Sequence, residues 1–373
     1  MVAGEASGDL LGANLLQALR AHWPNVQASG IGGARMVQQG FTARWPSEKL
    51  AVRGYVEVLR HYREIAGIRN SLRAELTAAH RPDLFIGIDA PDFNLDLELA
   101  LKAGGIKTIH YVCPSIWAWR AKRVEKIQRA ADHVLCIFPF EPELLARHSI
   151  SSTYVGHPLA GMIPMQADKA AARKQLGLQD HDTVVAILPG SRRSEVRYLA
   201  ERFFRAARIL QGERPALKFV VPAMPALKAA IESAAHAAGL HSGLTVFVGR
   251  SHEILAACDV TLIASGTATL EAALFKRPMV IAYYMNALSW QIMRRKQLQP
   301  WVGLPNILAG ELLVPELLQA NATPEALARA TLEWLDAPDK ARALEVRFAQ
   351  MHRELLRDTA TLATHAIEKV LAR

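Results

Sequence analysis

Short apolar runs that alternate with amphipathic segments are the main pattern of this chain. The runs of the first half are too short for helices and predict buried strands at 84–88, 108–112, 134–138 and 153–158. Further runs predict strands in the second half at 184–188, 219–221, 246–248, 260–264 and 279–282. Because helical patterns separate these runs, the sequence predicts an α/β protein with two doubly wound domains.

A mixed segment between residues 159 and 182 interrupts the alternation with Pro164 and a polar helical stretch, and we place the domain boundary there. The expected first domain covers residues 1–163 and is joined by C-terminal helices at 346–373. The expected second domain covers residues 164–345. A chain of 373 residues with 51% hydrophobic content is long enough to fill two such cores.

Asp89 follows the apolar run 84–88 directly. Pro91 cannot continue a central strand, and the residue before a proline is pushed away from helical dihedral angles, so the chain leaves the sheet here. The carboxyl end of a strand in an open parallel sheet borders the ligand crevice, which makes Asp89 a candidate general base. The alternative for Asp89 is a cap of the next helix, and for Asp92 we favour the cap.

Small residues at positions 4–9 precede a helical pattern, which predicts an anion-binding turn. Ser7 or Asp9 can instead serve only as the helix cap. Three residues remain before Gly4, so the first strand is expected to be short, and adding roughly six to eight apolar-rich upstream residues is expected to stabilise the protein. Residues 30–33 lack the dinucleotide fingerprint and are interpreted as a loop with close backbone approach, so a nicotinamide cofactor is not expected.

Basic side chains gather in two segments of the first half. The first is a helical pattern with Arg60, His61, Arg63, Arg69, Arg73, His80 and Arg81 beside Tyr62, Ile65, Ile68 and Leu72. The second follows a loop with Trp117 and Trp119 and contains Arg120, Lys122, Arg123, Lys126 and Arg129. Cations beside tryptophans suit a membrane interface or a phosphosugar pocket. The alternatives are solvated helix faces and tryptophans that pack in the core.

Two turns rich in small residues open helices in the second half. Arg192 follows the turn at 189–191, which suits a pyrophosphate group. In the turn at 264–268, small residues let main-chain amides approach a phosphate. Glu271, just inside the next helix, can chelate a ribose diol or only offset the helix dipole.

Other residue types restrict the range of functions. His157 precedes a proline at a strand end, which favours a structural role over acid–base catalysis. Asp180 and Asp182 lie in the linker and are interpreted as loop residues, so no metal and no cofactor are expected. The three cysteines lie far apart, which argues against a zinc site or a disulfide framework and fits a reducing cytoplasm.

The net charge of +9 indicates an anionic partner, which can be nucleic acid, acidic lipid or a phosphorylated substrate. The uncharged run 278–293 is too short and too interrupted to span a bilayer, so an integral membrane protein is not expected. Residues 287–293 combine apolar bulk with the cluster Arg294, Arg295 and Lys296, which predicts a second lipid-facing surface.

Taken together, these motifs resemble the lipid-A-disaccharide synthase family, which has the B-type glycosyltransferase (GT-B) fold. In the first half the resemblance rests on residues 3–9, 87–94, 110–112, 114–115 and 117–120. In the second half it rests on residues 188–192, 264–268, 270–271 and 304–306. It covers nearly the entire chain.

The resemblance implies two Rossmann-like domains that face each other across a cleft, with the acceptor bound by the first and a UDP-sugar donor by the second. It implies transfer of 2,3-diacylglucosamine from UDP to the 6-hydroxyl of 2,3-diacylglucosamine 1-phosphate, which releases UDP and serves lipid A biosynthesis. The family's base matches Asp89, and functional weight falls on Arg192 and on Asn306, which would orient the donor or its phosphate. The expected substrate-binding residues are Glu5, Ser7, Gly8, Trp119, Arg120, Ser191, Ser265, Gly266, Thr267 and Glu271.

The resemblance also implies a homodimer through the C-terminal region and peripheral association with the cytoplasmic face of the inner membrane of a Gram-negative cell. Metal-free inverting displacement fits these residues, with Asp89 taking the acceptor proton while Arg192 and helix-start amides neutralise the pyrophosphate. Two alternatives stay open. Another GT-B transferase or a UDP-sugar epimerase would share the second-half site, and a nucleic-acid-binding protein would explain the charge alone.

Overall fold

The computed structural model describes residues 1–46, 50, 55–78 and 81–372. The chain forms two compact units, one of Met1–Pro158 with Leu355–Arg373 and one of Leu159–Glu354. Within the described residues, no helix combines the length and the apolar content that crossing a membrane requires.

The first unit contains a seven-stranded sheet in the order β3-β2-β1-β4-β5-β6-β7, and every strand pair in it is parallel. Its strands are β1 (Val2–Ala3), β2 (Ser29–Gly32), β3 (Thr42–Pro46), β4 (Leu84–Ile88), β5 (Lys107–Tyr111), β6 (His133–Cys136) and β7 (Ser152–Tyr154). Its first six helices are α1 (Ala6–His22), α2 (Ala34–Gln38), α3 (Tyr55–Ala78), α4 (Pro91–Ala103), α5 (Arg123–Ala130) and α6 (Glu141–Ala146).

The second unit contains a six-stranded parallel sheet in the order β10-β9-β8-β11-β12-β13. Its strands are β8 (Val184–Leu188), β9 (Lys218–Ala223), β10 (Leu244–Val248), β11 (Val260–Ala264), β12 (Met279–Tyr283) and β13 (Glu316–Leu318). The helices from the unit boundary onward are α7 (Pro158–Met162), α8 (Lys169–Leu176), α9 (Arg193–Glu213), α10 (Lys228–Ala237), α11 (Ser251–Ala257), α12 (Thr267–Leu274), α13 (Ala287–Lys296), α14 (Leu304–Ala309), α15 (Pro324–Asp336) and α16 (Pro338–Leu355). The last helix, α17 (Thr359–Leu371), belongs to the first unit.

Complete burial of the central strands explains why they appear in the sequence as continuous apolar runs. All residues of β8 and β11 are buried, because helices cover both faces of a doubly wound parallel sheet. The predicted α/β class with two doubly wound sheets is confirmed.

The loop interpretation of residues 30–33 is wrong for most of that segment, because β2 extends to Gly32. Glycines in a strand supply no side chains to pack and so weaken the sequence signal. The expected close approach is present: Gly30 has φ +137°, and a Cβ there would lie 2.3 Å from the carbonyl oxygen of Met1. The predicted strands at 134–138 and 153–158 end early, at Cys136 and Tyr154.

Candidate active site

Asp89 lies immediately after β4, at the carboxyl edge of the first sheet. Its side chain is half-buried, and both Asp89 and Ala90 have left-handed backbone conformations, with φ of 51° and 42°. The main-chain N–H of Asp89 donates to the carbonyl of Tyr111 at 2.8 Å. Left-handed non-glycine residues cost of order 1–3 kcal/mol each and cluster at functional sites, so this turn is a strong candidate for a catalytic position.

Asp92 does not cap α4, which corrects the sequence interpretation. The N-cap residue is Ala90, and no side chain caps the helix start. The Asp92 carboxylate instead accepts from the guanidinium of Arg120 at 3.4 Å and from that of Arg123. It remains 78% exposed, so this pair of contacts lies at the protein surface.

The predicted anion-binding turn at residues 4–9 includes the start of α1, which begins earlier than the sequence pattern indicated. Glu5 is the N-cap residue of α1, so Ser7 and Gly8 lie within its first turn. Ser7 is exposed, whereas Gly8 is buried. A Cβ on Gly4 would lie 3.2 Å from the Cβ of Ala90, which brings the start of α1 beside the Asp89 turn.

Asp9 caps a different helix from the one that the sequence indicated. Its buried carboxylate accepts from the main-chain N–H of Gly33, Arg35 and Met36 at 2.8, 3.0 and 3.1 Å. These residues form the start of α2, so Asp9 joins α1 to α2. The structure therefore gives Asp9 a structural role.

The structure separates the two tryptophans of the loop after β5. Trp117 is buried, donates from Nε1 to Glu141 at 3.1 Å, and packs edge-on against Phe138 and Phe140. Trp119 is 45% exposed, and the guanidinium of Arg120 lies 4.4 Å from its ring centroid. Of the two, only Trp119 with Arg120 is available to a ligand or a lipid surface.

Glu141 is a fully buried carboxyl group that holds this loop. Besides Trp117 it accepts from the main-chain N–H groups of Ile137 and Phe138 at 3.1 and 3.0 Å. Burial raises its pKa to about 7, although these hydrogen bonds oppose the rise. Sequence inspection missed Glu141, since an acidic residue in a first helical turn is common.

The raised pKa of Glu141 predicts a pH-dependent contribution to stability. A carboxyl group that binds its proton more tightly in the folded protein stabilises most at low pH, and this contribution falls as pH rises from 4.5 towards about 7. Relative to Glu141→Gln, we expect the wild-type free energy of unfolding to fall by about 2 kcal/mol between pH 5 and 7. Denaturant unfolding of both proteins at each pH measures this, and a pH-independent difference would contradict it.

Part of the basic surface near α4 is paired with acidic residues. Asp96 on α4 contacts Arg69 of α3 at 2.7 Å and Lys126 of α5 at 2.6 Å. The remaining exposed cations of these two segments are Arg63, Arg73, Arg81, Lys122 and Arg129. His80 and the side chains of residues 60–62 lie outside the described residues.

In the second unit, Arg192 is the N-cap residue of α9 and is 58% exposed. Its guanidinium contacts the Glu195 carboxylate at 2.7 Å. Glu195 also accepts from the main-chain N–H of Ser191 and of Arg192 at 2.9 and 3.2 Å. Two of the amides expected to meet a pyrophosphate therefore bind Glu195 in this structure, which the sequence did not reveal.

The turn before α12 is more open. Gly266 and Thr267 are exposed, and a Cβ on Gly266 would have no heavy atom within 4 Å. Ser265 donates from Oγ to the carbonyl of Val302 at 2.9 Å, which ties this turn to the segment before α14. The helix start at Thr267 is thus accessible to a ligand, as a phosphate site requires.

Glu271 lies on α12 and faces His252 of α11, with 3.9 Å between Oε2 and Nε2. Burial raises the pKa of Glu271, and the nearby imidazole opposes that rise. His252 was missed from the sequence, because it comes together with Glu271 only through packing of α11 against α12. The pair offers hydrogen-bonding groups that suit a sugar diol.

Asn306 was expected to orient the donor, but its side chain is hydrogen-bonded within the protein. It is fully buried, and its Nδ2 donates to the Val314 carbonyl at 2.9 Å and to Glu316 at 2.8 Å. Its Oδ1 accepts from the N–H groups of Leu313 and Val314 at 2.9 and 3.0 Å. All hydrogen-bonding positions of the amide are used within the protein. The geometry therefore assigns Asn306 to holding the loop before β13, and its role in orienting the donor or its phosphate stays a prediction.

The remaining candidates are structural. His157 is buried beside Phe138, and burial lowers its pKa to about 4, so it is neutral at neutral pH. Asp182 accepts from the N–H of Gln179 at 2.8 Å within a loop. The cysteines are buried and free. Across the described parts of the chain, no three His, Cys, Asp or Glu side chains gather as metal ligands would.

Comparison with known proteins places the chain in a family. A model of the family described as lipid-A-disaccharide synthetase matches residues 1–370. The lipid-A-disaccharide synthase of Albidiferax ferrireducens is 64% identical, and the match covers 100% of this chain and 96% of the relative. The lipid-A-disaccharide synthase of Verminephrobacter eiseniae is 62% identical, with coverage of 100% and 97%.

Two solved structures share the fold at low identity. MurG of Acinetobacter baumannii has a TM-score of 0.59 and 16% identity, covering 99% of this chain and 98% of that chain. The UDP-GlcNAc 2-epimerase of Neisseria meningitidis has a TM-score of 0.64 and 12% identity, covering 98% of both chains. The fold is thus that of GT-B glycosyltransferases and epimerases. The full-length sequence match goes further: this chain belongs to the lipid-A-disaccharide synthase family, a family of glycosyltransferases of lipid A biosynthesis.

Proposed function

We propose that the protein transfers 2,3-diacylglucosamine from its UDP derivative to the 6-hydroxyl of 2,3-diacylglucosamine 1-phosphate. The products are a β-1,6-linked disaccharide phosphate and UDP. Membership of the family supports the reaction class and its place in lipid A biosynthesis. The observation that carries the assignment of chemistry is the half-buried Asp89 on a left-handed turn at the carboxyl edge of the first sheet.

In the proposed mechanism, Asp89 removes the proton of the acceptor hydroxyl as that oxygen attacks the anomeric carbon. The bond to UDP breaks through an oxocarbenium-like state, and attack from the face opposite UDP inverts the anomeric configuration. Arg192 and the start of α12 at Ser265, Gly266 and Thr267 neutralise the departing pyrophosphate. Glu271 accepts hydrogen bonds from the ribose diol.

In the proposed donor site, the Glu195 carboxylate competes with the pyrophosphate of the donor for Arg192. A pyrophosphate near Arg192 replaces a carboxylate that already occupies the guanidinium and two main-chain amides. A charge-assisted hydrogen bond to phosphate contributes about 1.5–3 kcal/mol in favourable sites, and part of that is offset by the lost Glu195 contacts. Arg192 therefore contributes to donor affinity mainly through its bond to phosphate.

Replacing Arg192 by alanine is expected to weaken UDP binding by about tenfold, since roughly 1.4 kcal/mol corresponds to tenfold in affinity. Arg193→Ala, which removes the adjacent exposed cation, is the matched control and is expected to leave binding near the wild-type level. Titration calorimetry with UDP measures both. Equal weakening by the two changes would contradict the role of Arg192 and indicate a general effect of positive charge.

The whole reaction is tested by incubating the protein with both lipid substrates and identifying the product by mass spectrometry. Formation of the disaccharide phosphate is expected to continue in the presence of a metal chelator. Activity that a chelator abolishes and magnesium restores would contradict the metal-free mechanism. Turnover of water-soluble UDP-N-acetylglucosamine, with no disaccharide product, would favour an epimerase.

The same proposal includes association with an anionic lipid surface and a homodimer formed by the C-terminal region. Exposed apolar side chains on α13 and after it, Ile292 and Leu298, stand beside the cations of residues 294–296. Val346 is 66% exposed on α16, and Leu371 at the end of α17 is also exposed, which supports a protein contact in this region. Sedimentation equilibrium of the purified protein tests the oligomeric state.

A further inference from the structure

Three fully buried polar side chains lie on the inner side of α4 and β5, next to the Asp89 turn. Asn94 and Glu98 stand one helical turn apart on α4, and His110 stands on β5. Polar side chains without any exposure are unusual in a sheet core, where apolar residues pack without needing partners.

Asp89 is held through its main chain from two sides. Its N–H donates to the Tyr111 carbonyl of β5 at 2.8 Å. Its own carbonyl accepts from Nδ2 of Asn94 on α4 at 2.8 Å. The same amide lies farther from the carbonyls of Val2 and Ile88, at 3.3 and 3.4 Å, so the bond to Asp89 is the shortest of the three. A strand and a helix therefore fix the turn together.

The strand and the helix are also joined to each other beneath the turn. Nδ1 of His110 lies 2.7 Å from Oε1 of Glu98, and both side chains are inaccessible to solvent. His110 directly precedes Tyr111 on β5, and Glu98 follows Asn94 on α4. The contacts thus form a closed path from Asp89 through Tyr111 and His110 to Glu98 and Asn94, and back to Asp89.

Gly87 makes room for this cluster within β4. A Cβ at Gly87 would lie 2.1 Å from Oε1 of Glu98 and 2.9 Å from the Cβ of Asn94. The glycine lets the two polar side chains lie directly against the strand that ends at Asp89. A glycine within a strand often marks such a close approach.

Stability alone does not explain the cluster. Three of its buried atoms, Oδ1 of Asn94, Oε2 of Glu98 and Nε2 of His110, have no hydrogen-bond partner among the described residues. Burial raises the pKa of Glu98, which shows that its charged form is disfavoured there. Well-packed apolar residues of similar size often stabilise a core as well as such a group or better.

We propose that Asn94, Glu98 and His110 are positioning residues that hold the left-handed Asp89 turn and thereby set the direction of its carboxylate towards the acceptor hydroxyl. All three side chains are fully buried, so none of them is accessible to substrate in this structure. Asn94 acts directly on the Asp89 carbonyl, whereas Glu98 and His110 fix α4 against β5. This inference rests on the proposed function, in which Asp89 is the general base.

A double-mutant cycle tests the inference. Asn94→Ala is expected to lower kcat by tens of fold up to about 10²-fold, since a misplacement near 1 Å costs about that much, while KM changes little. In the Asp89→Asn background, Asn94→Ala is expected to cause no further loss, because the base that it positions is already absent. A purely structural role would give the same factor in both backgrounds. The second arm uses Glu98: Glu98→Gln retains a hydrogen bond to His110 and most of kcat, whereas Glu98→Leu does not.

Thr108→Val is the matched control. Thr108 is fully buried on the same strand as His110, and its hydroxyl donates to the Ala130 carbonyl at 2.7 Å and to Asp132 at 3.3 Å, both outside the Asp89 turn. It is expected to lower the melting temperature while leaving kcat within about twofold, as a local change in packing does. If Asn94→Ala does not fold, Asn94→Ser gives the same readout, because its shorter side chain cannot reach the Asp89 carbonyl.

The outcomes separate this inference from the proposed function. Near-normal turnover of Asp89→Asn would overturn the assignment of the base itself. Strongly reduced turnover of Asp89→Asn together with an equal further loss from Asn94→Ala in both backgrounds would overturn only the positioning role. A loss confined to the wild-type background, with KM unchanged and Thr108→Val near wild type, supports it.

Discussion

Replacing Asp89 with asparagine is expected to reduce turnover by about 10²- to 10⁴-fold, the range that a general base contributes. The amide has nearly the same shape as the carboxylate but cannot accept the proton of the acceptor hydroxyl. UDP binding is expected to stay unchanged, because the proposed nucleotide contacts are made by residues of the second unit. Steady-state assays with both lipid substrates, with UDP titrations alongside, measure the two effects.

Asp89→Asn is expected to leave the backbone of this turn unchanged. Asparagine is among the non-glycine residues that adopt left-handed conformations most readily, so the φ of 51° remains accessible. The main-chain bond to Tyr111 is also kept, since it does not involve the side chain. Asp92→Asn is the matched control, because its carboxylate is 78% exposed and contacts the guanidinium groups of Arg120 and Arg123. Near-normal turnover by folded Asp89→Asn, or an equal loss in Asp92→Asn, would contradict the role of Asp89 as the base.

The sequence predicted strands correctly where a strand is apolar along its whole length. The predicted bounds of β8 and β11 match the structure, because both strands lie at the sheet centre and are buried on both faces. Strand β2 was missed because its sequence is Ser-Gly-Ile-Gly, which carries little apolar signal. Strand β13 at Glu316–Leu318 was missed because it has three residues and lies at the sheet edge.

Residues of the candidate site could be predicted from the sequence only where a local sequence pattern indicates them. The end of an apolar run followed by proline identified Asp89, and a small-residue turn before a helix identified Arg192. The partners of these residues come from distant parts of the chain or from side-chain directions. Asp9, for example, binds main-chain groups 24–27 residues away. A sequence pattern does not specify such contacts, since they depend on how helices pack across the sheet.

Asn306 and Glu195 show a second limit of prediction from sequence motifs. Asn306 was expected to orient the donor or its phosphate, and the helix-start amides near Glu195 were expected to meet a pyrophosphate. In the structure, the amide group of Asn306 donates and accepts hydrogen bonds in the loop before β13. The Glu195 carboxylate accepts from main-chain amides of the turn before α9. A motif indicates that residues matter together, but only the hydrogen bonds show which of them can face a ligand.

Reversing the charge of Arg294, Arg295 and Lys296 to glutamate is expected to weaken binding to anionic vesicles by at least about 10²-fold. Each basic residue near such a surface contributes about 1 kcal/mol, and roughly 1.4 kcal/mol corresponds to a factor of ten. All three side chains are exposed at the end of α13, where cations also complement the helix dipole. Co-sedimentation with vesicles of phosphatidylcholine and phosphatidylglycerol measures the change.

Two comparisons assign the effect to this surface and not to net charge. Reversal of Lys174, Arg205 and Arg208, three exposed cations elsewhere in the second unit, changes the total charge equally and is expected to weaken binding far less. Ile292→Ser removes an apolar side chain that is 51% exposed beside the cluster, and is expected to reduce the part of binding that persists at high salt. Because the cations act through the surface potential, the loss from their reversal should shrink as salt rises. The loss from Ile292→Ser should change little with salt, because that side chain acts through burial in the lipid interface. Equal losses from both triple reversals, or vesicle binding that none of the changes alters, would remove α13 from the proposed membrane surface.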